Sequence, residues 1–415
     1  MFKKIISSIL TFAIVIMSAV LFTGCSDSVK SYALGAYSNG GMALVKDGYM
    51  YYIAGGTDKL DSTENAVIKA SSIYKRKVDA DYNPVEGSEP ELVWEGVAGF
   101  KNGGLYCFGE YLYFTTPSSF KNSAAETMTD RTSFVRVRLD GKKYSVIYTT
   151  ETSDDLKYAY YAPTDTELYI TILEGSNLYS YDIKKNKKVV ISEEATGAVF
   201  SPEFGRGNGA DPYLFYTTSP KDTYLSQNGN MVYRATPDGK SSEQISSGIT
   251  VSLEEIFDGY LYYSANSNYY KTTTMTGLDK MNVVSYGKTY KTPFFTHDGG
   301  LVADDTDNGK LVYFVWEGGA RVNTYTLSTS TENTICFQDQ ETIYGLNKDK
   351  KLVTFSIDGS TYGESKLDDK IIAVSISTSL TMEKIGSYLY YYTETKTTDA
   401  AGNELTTWNI ASIQI

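Results

Sequence analysis

Histidine, cysteine, proline and helical periodicity are all scarce in this chain, and each shortage removes a class of function. One histidine, His297, stands among 415 residues, so any nucleophilic triad built on histidine would have to use it, and no Gly-x-Ser-x-Gly is present to supply a serine elbow. Its setting, Phe294-Phe295-Thr296-His297-Asp298-Gly299, reads as a strand end or turn. Three cysteines are too few for a disulfide scaffold, and with a single histidine they cannot make the usual zinc clusters. Cys107 and Cys336 each lie in a short apolar run, far apart in the chain, and read as buried free thiols acting as small hydrophobes. Positive charge is short as well: 38 Lys and Arg against 50 Asp and Glu leave a net charge of −12. Such a field repels phosphate backbones, which excludes nucleic acid as a partner. Beyond residue 24 no apolar stripe of helical period runs for more than about three turns.

Aromatic residues are abundant instead, with 37 Tyr and 17 Phe. Together with many Thr, Ser, Val and Gly they favour pleated, half-buried strands. A hydrophobic fraction of 41% against 21% charged is enough for a substantial core and excludes wholesale disorder. One short aromatic strand recurs: GYMYY (48–52), EYLYF (110–114), ELYI (167–170), PYLFY (212–216), GYLYY (259–263), KLVYF (310–314), TIYGL (342–346) and SYLYYY (387–392). Equivalent aromatics stand at 51, 113, 169, 215, 262, 313, 344 and 390, so the spacing is 46 to 62 residues except for a gap of 31 between Tyr313 and Tyr344. Most of these spacings match a four-stranded propeller blade, roughly 40–50 residues. Turn pairs such as Asp47-Gly48, Gly109-Glu110, Asp258-Gly259 and Asn308-Gly309 precede the aromatic strand, and a second hairpin with an Asp-Gly or Lys-rich turn follows it, as in 134–148, 177–191, 231–245 and 351–360. Each unit is therefore a four-stranded antiparallel meander. A lone meander cannot bury both faces, and radial stacking of such sheets leaves only short, protected edges. The expected fold is all-β: a β-propeller of four-stranded antiparallel blades, eight from the count of aromatic strands, with seven left open by the 31-residue gap. Residues 40–415 form a single domain, and the last strand, 406–415, is expected to close the ring against the segment 32–45.

The units YLFYTT…MVYRATPDG (213–239), EYLYFTT…FVRVRLDG (110–141) and GYLYYSA (259–265) resemble the repeats of low-density-lipoprotein-receptor-type propellers. More closely, they are similar to the tyrosine-rich propeller domains of Gram-positive bacterial lipoproteins. The resemblance runs from about residue 40 to 415. Thr115-Thr116 and Thr217-Thr218 stand where the receptor family has Trp-Thr-Asp, so the bracing Asp of that family is mostly missing. The bacterial family has no established activity, and the resemblance implies fold and location alone.

Residues 1–24 read as an export signal: Lys3 and Lys4, an apolar run from Ile5 to Phe22 interrupted by Ser7, Ser8 and Ser18, then small residues. Leu21-Phe22-Thr23-Gly24-Cys25 resembles the lipobox of bacterial lipoproteins, with Leu21 one place further from the cysteine than the family pattern has it. The resemblance implies acylation of Cys25, including a palmitate-type chain, and two or three chains suffice for stable attachment to a membrane. Residues 25–39 then form a tether, and the body is extracytoplasmic, anchored to the cell membrane through Cys25.

Candidate chemistry is thin. Glu254-Glu255, Glu203 and Asp211 offer carboxylates of the kind that cleave glycans, but catalytic pairs are defined by their separation in space. Asp304-Asp305-Thr306-Asp307-Asn308-Gly309 is rich in oxygens yet out of register with a calcium loop, and reads as an acidic hairpin turn. Gly205-Arg206-Gly207-Asn208-Gly209 precedes no helix and reads as a loop. No cofactor or metal is expected. The loops after the second strands (53–70, 115–131, 217–229 and 393–405) and the Gly-rich connection 200–211 are assigned to one face of the disc, where binding is usually found. Phe120, Phe204, Arg206, Tyr224, Tyr269, Tyr270 and Trp316, in or beside these segments, could stack on sugars or anchor a peptide. The expected role is a monomeric binding or scaffold module for a glycan, a peptide or an envelope protein. The alternatives are a carboxylate-based polysaccharide hydrolase or lyase, and an accessory factor of a membrane-protein complex.

Overall fold

The computed structural model of the chain describes residues 29, 31–33, 38–56, 72–99, 104–121, 127–152, 154, 156–200, 213–219, 229–257, 259–265, 268–273, 290–295, 301–305, 307–317, 320–329, 333–339, 342–349, 351–357, 362–364, 382–398, 402 and 404–414. Among these residues every regular element is a strand, and no helix is long and apolar enough to cross a membrane. Eight antiparallel meanders follow one another along the chain. Blade 1 holds β1 (Ala43–Lys46), β2 (Tyr49–Gly56), β3 (Ser72–Lys77) and β4 (Glu91–Trp94); blade 2 holds β5 (Tyr106–Phe108), β6 (Tyr111–Lys121), β7 (Thr127–Arg138) and β8 (Ser145–Thr149). Blade 3 comprises β9 (Leu156–Thr164), β10 (Glu167–Glu174), β11 (Asn177–Asp182) and β12 (Lys187–Ser192), and blade 4 comprises β13 (Ala195–Phe200), β14 (Leu214–Thr218), β15 (Asn230–Ala235) and β16 (Ser242–Ile249). Blade 5 has three described strands, β17 (Ser252–Phe257), β18 (Tyr260–Ala265) and β19 (Asn268–Thr273). Blade 6 contains β20 (Tyr290–Phe295), β21 (Leu301–Asp305), β22 (Lys310–Glu317) and β23 (Ala320–Ser328); blade 7 contains β24 (Thr334–Asp339), β25 (Thr342–Leu346), β26 (Leu352–Ser356) and β27 (Tyr362–Glu364). Blade 8 is β28 (Met382–Ile385), β29 (Tyr388–Thr398) and β30 (Glu404–Gln414).

The recurring aromatic strand is one of the two inner strands of every sheet: the second in seven blades and the third in blade 6, where Tyr313 lies on β22. That shift shortens the step to Tyr344 and accounts for the 31-residue gap, so both blades 6 and 7 are complete four-stranded sheets. A count of eight blades fits these sheets. An inner strand of a blade is covered on both faces by neighbouring blades, which is why its sequence reads as nearly continuous apolar residues. The equivalent aromatics, Tyr51, Tyr113, Tyr169, Phe215, Tyr262, Tyr313, Tyr344 and Tyr390, are all buried.

Core clusters lie between successive sheets. Leu44, Tyr51 and Ile53 of blade 1 meet Cys107, Leu112 and Phe114 of blade 2; Phe108, Tyr113 and Phe134 of blade 2 meet Tyr160, Ile170 and Tyr179 of blade 3. The same holds between blades 3 and 4, 4 and 5, 6 and 7, and 7 and 8. Ile385, Tyr390 and Tyr392 of blade 8 then pack on Met42, Met50 and Tyr52 of blade 1. Among the described residues seven of the eight successive junctions thus share a core, and the last sheet packs on the first, as in a propeller.

The first strands of blades 1 to 5 and of blade 8 each pair on one side only, and β28 with β1, β1 with β5, β9 with β13, and β13 with β17 approach one another. First strands therefore line the axis. The fourth strands form the rim, where Leu92, Val146 and Val190 are exposed. The seam between the ends of the chain differs from expectation. The last strand β30 pairs beyond its own blade with Gly55 and Gly56 of β2, opposite Trp408 and Thr407, rather than with the segment 32–45. Tyrosine hydroxyls complete the seam: Tyr392 Oη donates to the Ile53 carbonyl at 2.6 Å and Tyr390 Oη to that of Tyr82 at 2.8 Å.

Candidate functional site

First strands expose an unpaired edge toward the axis, and in blade 2 the chain's own N-terminal arm covers it. The Cys107 amide donates to Asn39 Oδ1 at 2.6 Å. Gly40 N donates to Leu105 O at 2.8 Å, Leu105 N to Gly41 O at 2.9 Å and Gly109 N to Ala33 O at 3.0 Å. The arm thus runs antiparallel beside β5, with Tyr32 buried between blades 2 and 3. Glycine is required where the two backbones meet, since a Cβ on Gly104 would stand 2.0 Å from the Gly40 carbonyl oxygen.

Beside the arm a cavity of about 410 Å³ opens, walled by Asn39 and Gly40, by Tyr106, and by the axial strands β9, β13 and β17. Its polar chemistry comes from Lys157, Glu254, Glu255, Asn39 and the phenols of Tyr106, Tyr158 and Tyr160. A β-bulge between Leu253 and Glu255 turns two consecutive carboxylates toward the wall. Ser264 Oγ donates to Glu254 Oε1 at 2.6 Å. Glu255 is exposed by surface area, but protein surrounds it on the channel wall, and desolvation pushes its carboxyl up to about 7. Burial likewise raises the Tyr106 phenol to about 12. Tyr160 is 1% exposed, and its hydroxyl has no hydrogen-bond partner among the described residues, although buried hydroxyls ordinarily find one.

A second desolvated carboxylate, Glu383 of β28, is half-buried by surface area but enclosed by protein at the seam of blades 8 and 1. Ala43 N donates to Glu383 Oε2 at 3.0 Å, and Ser38 Oγ is bonded to Oε1. A Cβ on Gly41 would lie 2.1 Å from Oε1, so the carboxyl occupies the space a side chain would need. Desolvation outweighs the amide donors of Ala43 and Met42 and raises this carboxyl to about 8.

The structure places the sequence-derived candidates variously. Phe120 lies near the end of β6, Tyr269 and Tyr270 lie on β19, and Trp316 lies on β22. Tyr270 is partly buried in the core between blades 4 and 5. Its ring is stacked on Tyr263 of the adjoining strand at 5.1 Å. Phe204, Arg206, Tyr224, Glu203, Asp211, His297 and Cys25 lie outside the described residues. One placement is corrected. The Gly-rich segment 200–211 does not stand between blades: it falls between β13 and β14, which pair within blade 4, and residues 201–212 themselves lie outside the described residues. Asp304 and Asp305 belong to β21, and Asn308 N and Nδ2 donate to the Asp305 carboxylate at 3.2 and 2.7 Å: an acidic hairpin turn held by its own side chains. Cys107 is buried and free, while Cys336 is free and half-buried.

Sequence reasoning passed over the axial cavity, apart from noting Glu254-Glu255, because nothing in a short first strand announces that its edge faces a channel. No family model matches the chain, and no curated protein matches it. Among solved structures, BamB from Moraxella catarrhalis is 12% identical over 91% of this chain and 94% of its own, with a TM-score of 0.46. The β-propeller domain of the Trilobed protease from Pyrococcus furiosus is 9% identical over 82% of this chain and 99% of its own, with a TM-score of 0.41. YCF48 bound to D1 peptide is 11% identical over 73% and 89%, with a TM-score of 0.37.

Proposed function

We propose that the protein is a binding module of the cell surface, anchored through lipid on Cys25, that takes the end of an envelope glycan into its axial cavity. The observation that carries this reading is the cavity itself. Its volume of about 410 Å³ falls in the range of small-molecule sites, roughly 300–1,000 Å³. Its wall combines aromatic rings with two carboxylates, an amide and an ammonium group, which suits a ligand with apolar ring faces and many hydroxyls. The buried Tyr160 hydroxyl adds a donor without a partner among the described residues. The lipobox resemblance and the similarity to Gram-positive propeller lipoproteins support the location.

Titration calorimetry of the mature protein with envelope glycan fragments and, separately, with peptides tests the proposal. Binding of a glycan should weaken about tenfold or more in Lys157→Ala and Glu255→Gln, as expected for a ligand-contacting polar group worth 1.4 kcal/mol or more. Undiminished glycan binding in both variants removes the cavity from the proposal, and binding of peptides alone replaces the ligand class. The Glu255 carboxyl near 7 also favours a second reading, since a carboxyl held protonated near neutrality is what a glycan-cleaving acid requires. Turnover of a polysaccharide that disappears in Glu255→Gln would establish it.

A further inference from the structure

The N-terminal arm gives the disc a definite way up. Val29 and Tyr32 pack into the cluster between blades 2 and 3. Tyr32 N donates at 2.6 Å to the Asp165 carbonyl in the turn from β9 to β10, and Gly109 N, in the turn from β5 to β6, donates to the Ala33 carbonyl. Gly109 (φ +63) leaves room for this contact, because a Cβ there would stand 2.1 Å from the Ser31 carbonyl oxygen. The arm therefore leaves the body at the face that carries the turns from first to second strand and from third to fourth strand in blades 2 and 3.

Cys25 precedes Val29 by four residues, a reach of at most ~14 Å even when fully extended. The disc is thicker than that: the eight residues of β10 span about 26 Å at ~3.3 Å per residue. A lipid on Cys25 cannot reach the opposite face.

We infer that the turn face of blades 2 to 4 lies against an anionic membrane surface, so that the opposite face, with the loops that follow the second strands of these blades, is presented outward. The inference rests on the proposed lipid anchor at Cys25. Charge on the turns agrees with it. In a chain of net charge −12, the turns from third to fourth strand expose Lys142 and Lys143 in blade 2, Lys184 and Lys185 in blade 3, and Lys240 in blade 4. The acids among them are partnered, Asp140 with Arg138, Asp182 with Lys185 and Asp238 with Lys240, so the surplus positive charge of these turns is that of Lys142, Lys143 and Lys184. Exposed Glu110 and Asp165 stand in the first hairpin turns, nearer the axis. Lysines close to an anionic leaflet are attracted within about a Debye length, ~8 Å at physiological salt.

The two turns that flank β10 provide the test. Single cysteines at Thr166→Cys, on the turn face, and Ser176→Cys, on the opposite face, are introduced with Cys336→Ser and labelled with a fluorophore in the mature protein purified from membranes. The protein is reconstituted into phosphatidylglycerol–phosphatidylcholine vesicles bearing a headgroup nitroxide. Quenching should be several-fold stronger at position 166 than at 176. Equal or reversed quenching with an acylated Cys25, read by mass spectrometry, overturns the orientation and leaves the anchor standing. An unacylated Cys25 removes the anchor, and the inference falls with it.

Discussion

Replacing Glu383 by glutamine should flatten the dependence of stability on pH. In the folded protein this carboxyl is buried at the seam of blades 8 and 1 and titrates near 8, against an ordinary value of 4.5. Between those values the native state keeps a proton that the unfolded chain releases. The proton's contribution is therefore fully present below about pH 4.5, declines as pH rises, and is lost by about pH 8. One such proton changes stability by up to about 1.4 kcal/mol per pH unit, so the whole interval amounts to at most about 5 kcal/mol. Protonated, Glu383 can donate to Ser38 Oγ while its other oxygen accepts from Ala43 N, and no desolvated charge is left at the joint. Glutamine offers the same shape without the titration. Urea unfolding followed by tyrosine fluorescence, at about pH 5 and about pH 8, should show the parent losing midpoint with rising pH and Glu383→Gln losing much less. Glu255 pulls in the same direction in both proteins, so the difference between them isolates Glu383. Parallel losses in parent and variant would refute the reasoning.

Three further outcomes follow from the same coordinates. Gly41→Ala should destabilise by about 1–3 kcal/mol through overpacking against the Glu383 carboxyl, and Glu383→Ala in the same chain should restore part of it in a double-mutant cycle; strict additivity would contradict the contact. Tyr392→Phe removes the 2.6 Å hydroxyl bond to the Ile53 carbonyl and should cost about 1–2 kcal/mol in thermal or chemical unfolding, with an unchanged midpoint counting against it. Cys107, 1% exposed and with burial pushing its thiol up to about 12, should resist maleimide until the protein unfolds, while half-buried Cys336 reacts sooner; the order of labelling is read by peptide mass spectrometry.

The blades were legible because their inner strands are covered on both faces, and a run such as Tyr-Leu-Tyr-Phe at 111–114 or Tyr-Leu-Tyr-Tyr at 388–391 states that directly. First strands were less legible. β5 has three residues and β28 four, too few for alternation to register, and their inner edges meet partners that no local pattern reveals. The segment 200–211 looks, in sequence, like a boundary between repeats, and only the pairing of β13 with β14, Phe200 opposite Leu214, puts its two flanks in one sheet. Glu383 could not be singled out, because the residues that bury it, Ser38 to Ala43, lie some 340 positions away.

Where the two termini meet also governs when this protein can exist as a folded object. The last blade supplies Ile385, Tyr390 and Tyr392 to the first, so the opening sheet has one side uncovered until the final segment arrives. A chain threaded through a membrane pore from its N-terminus would keep that gap for almost the whole crossing and complete its ring only on emerging at the far side. The joint that seals the molecule thereby delays its cooperative stability until the last blade is available.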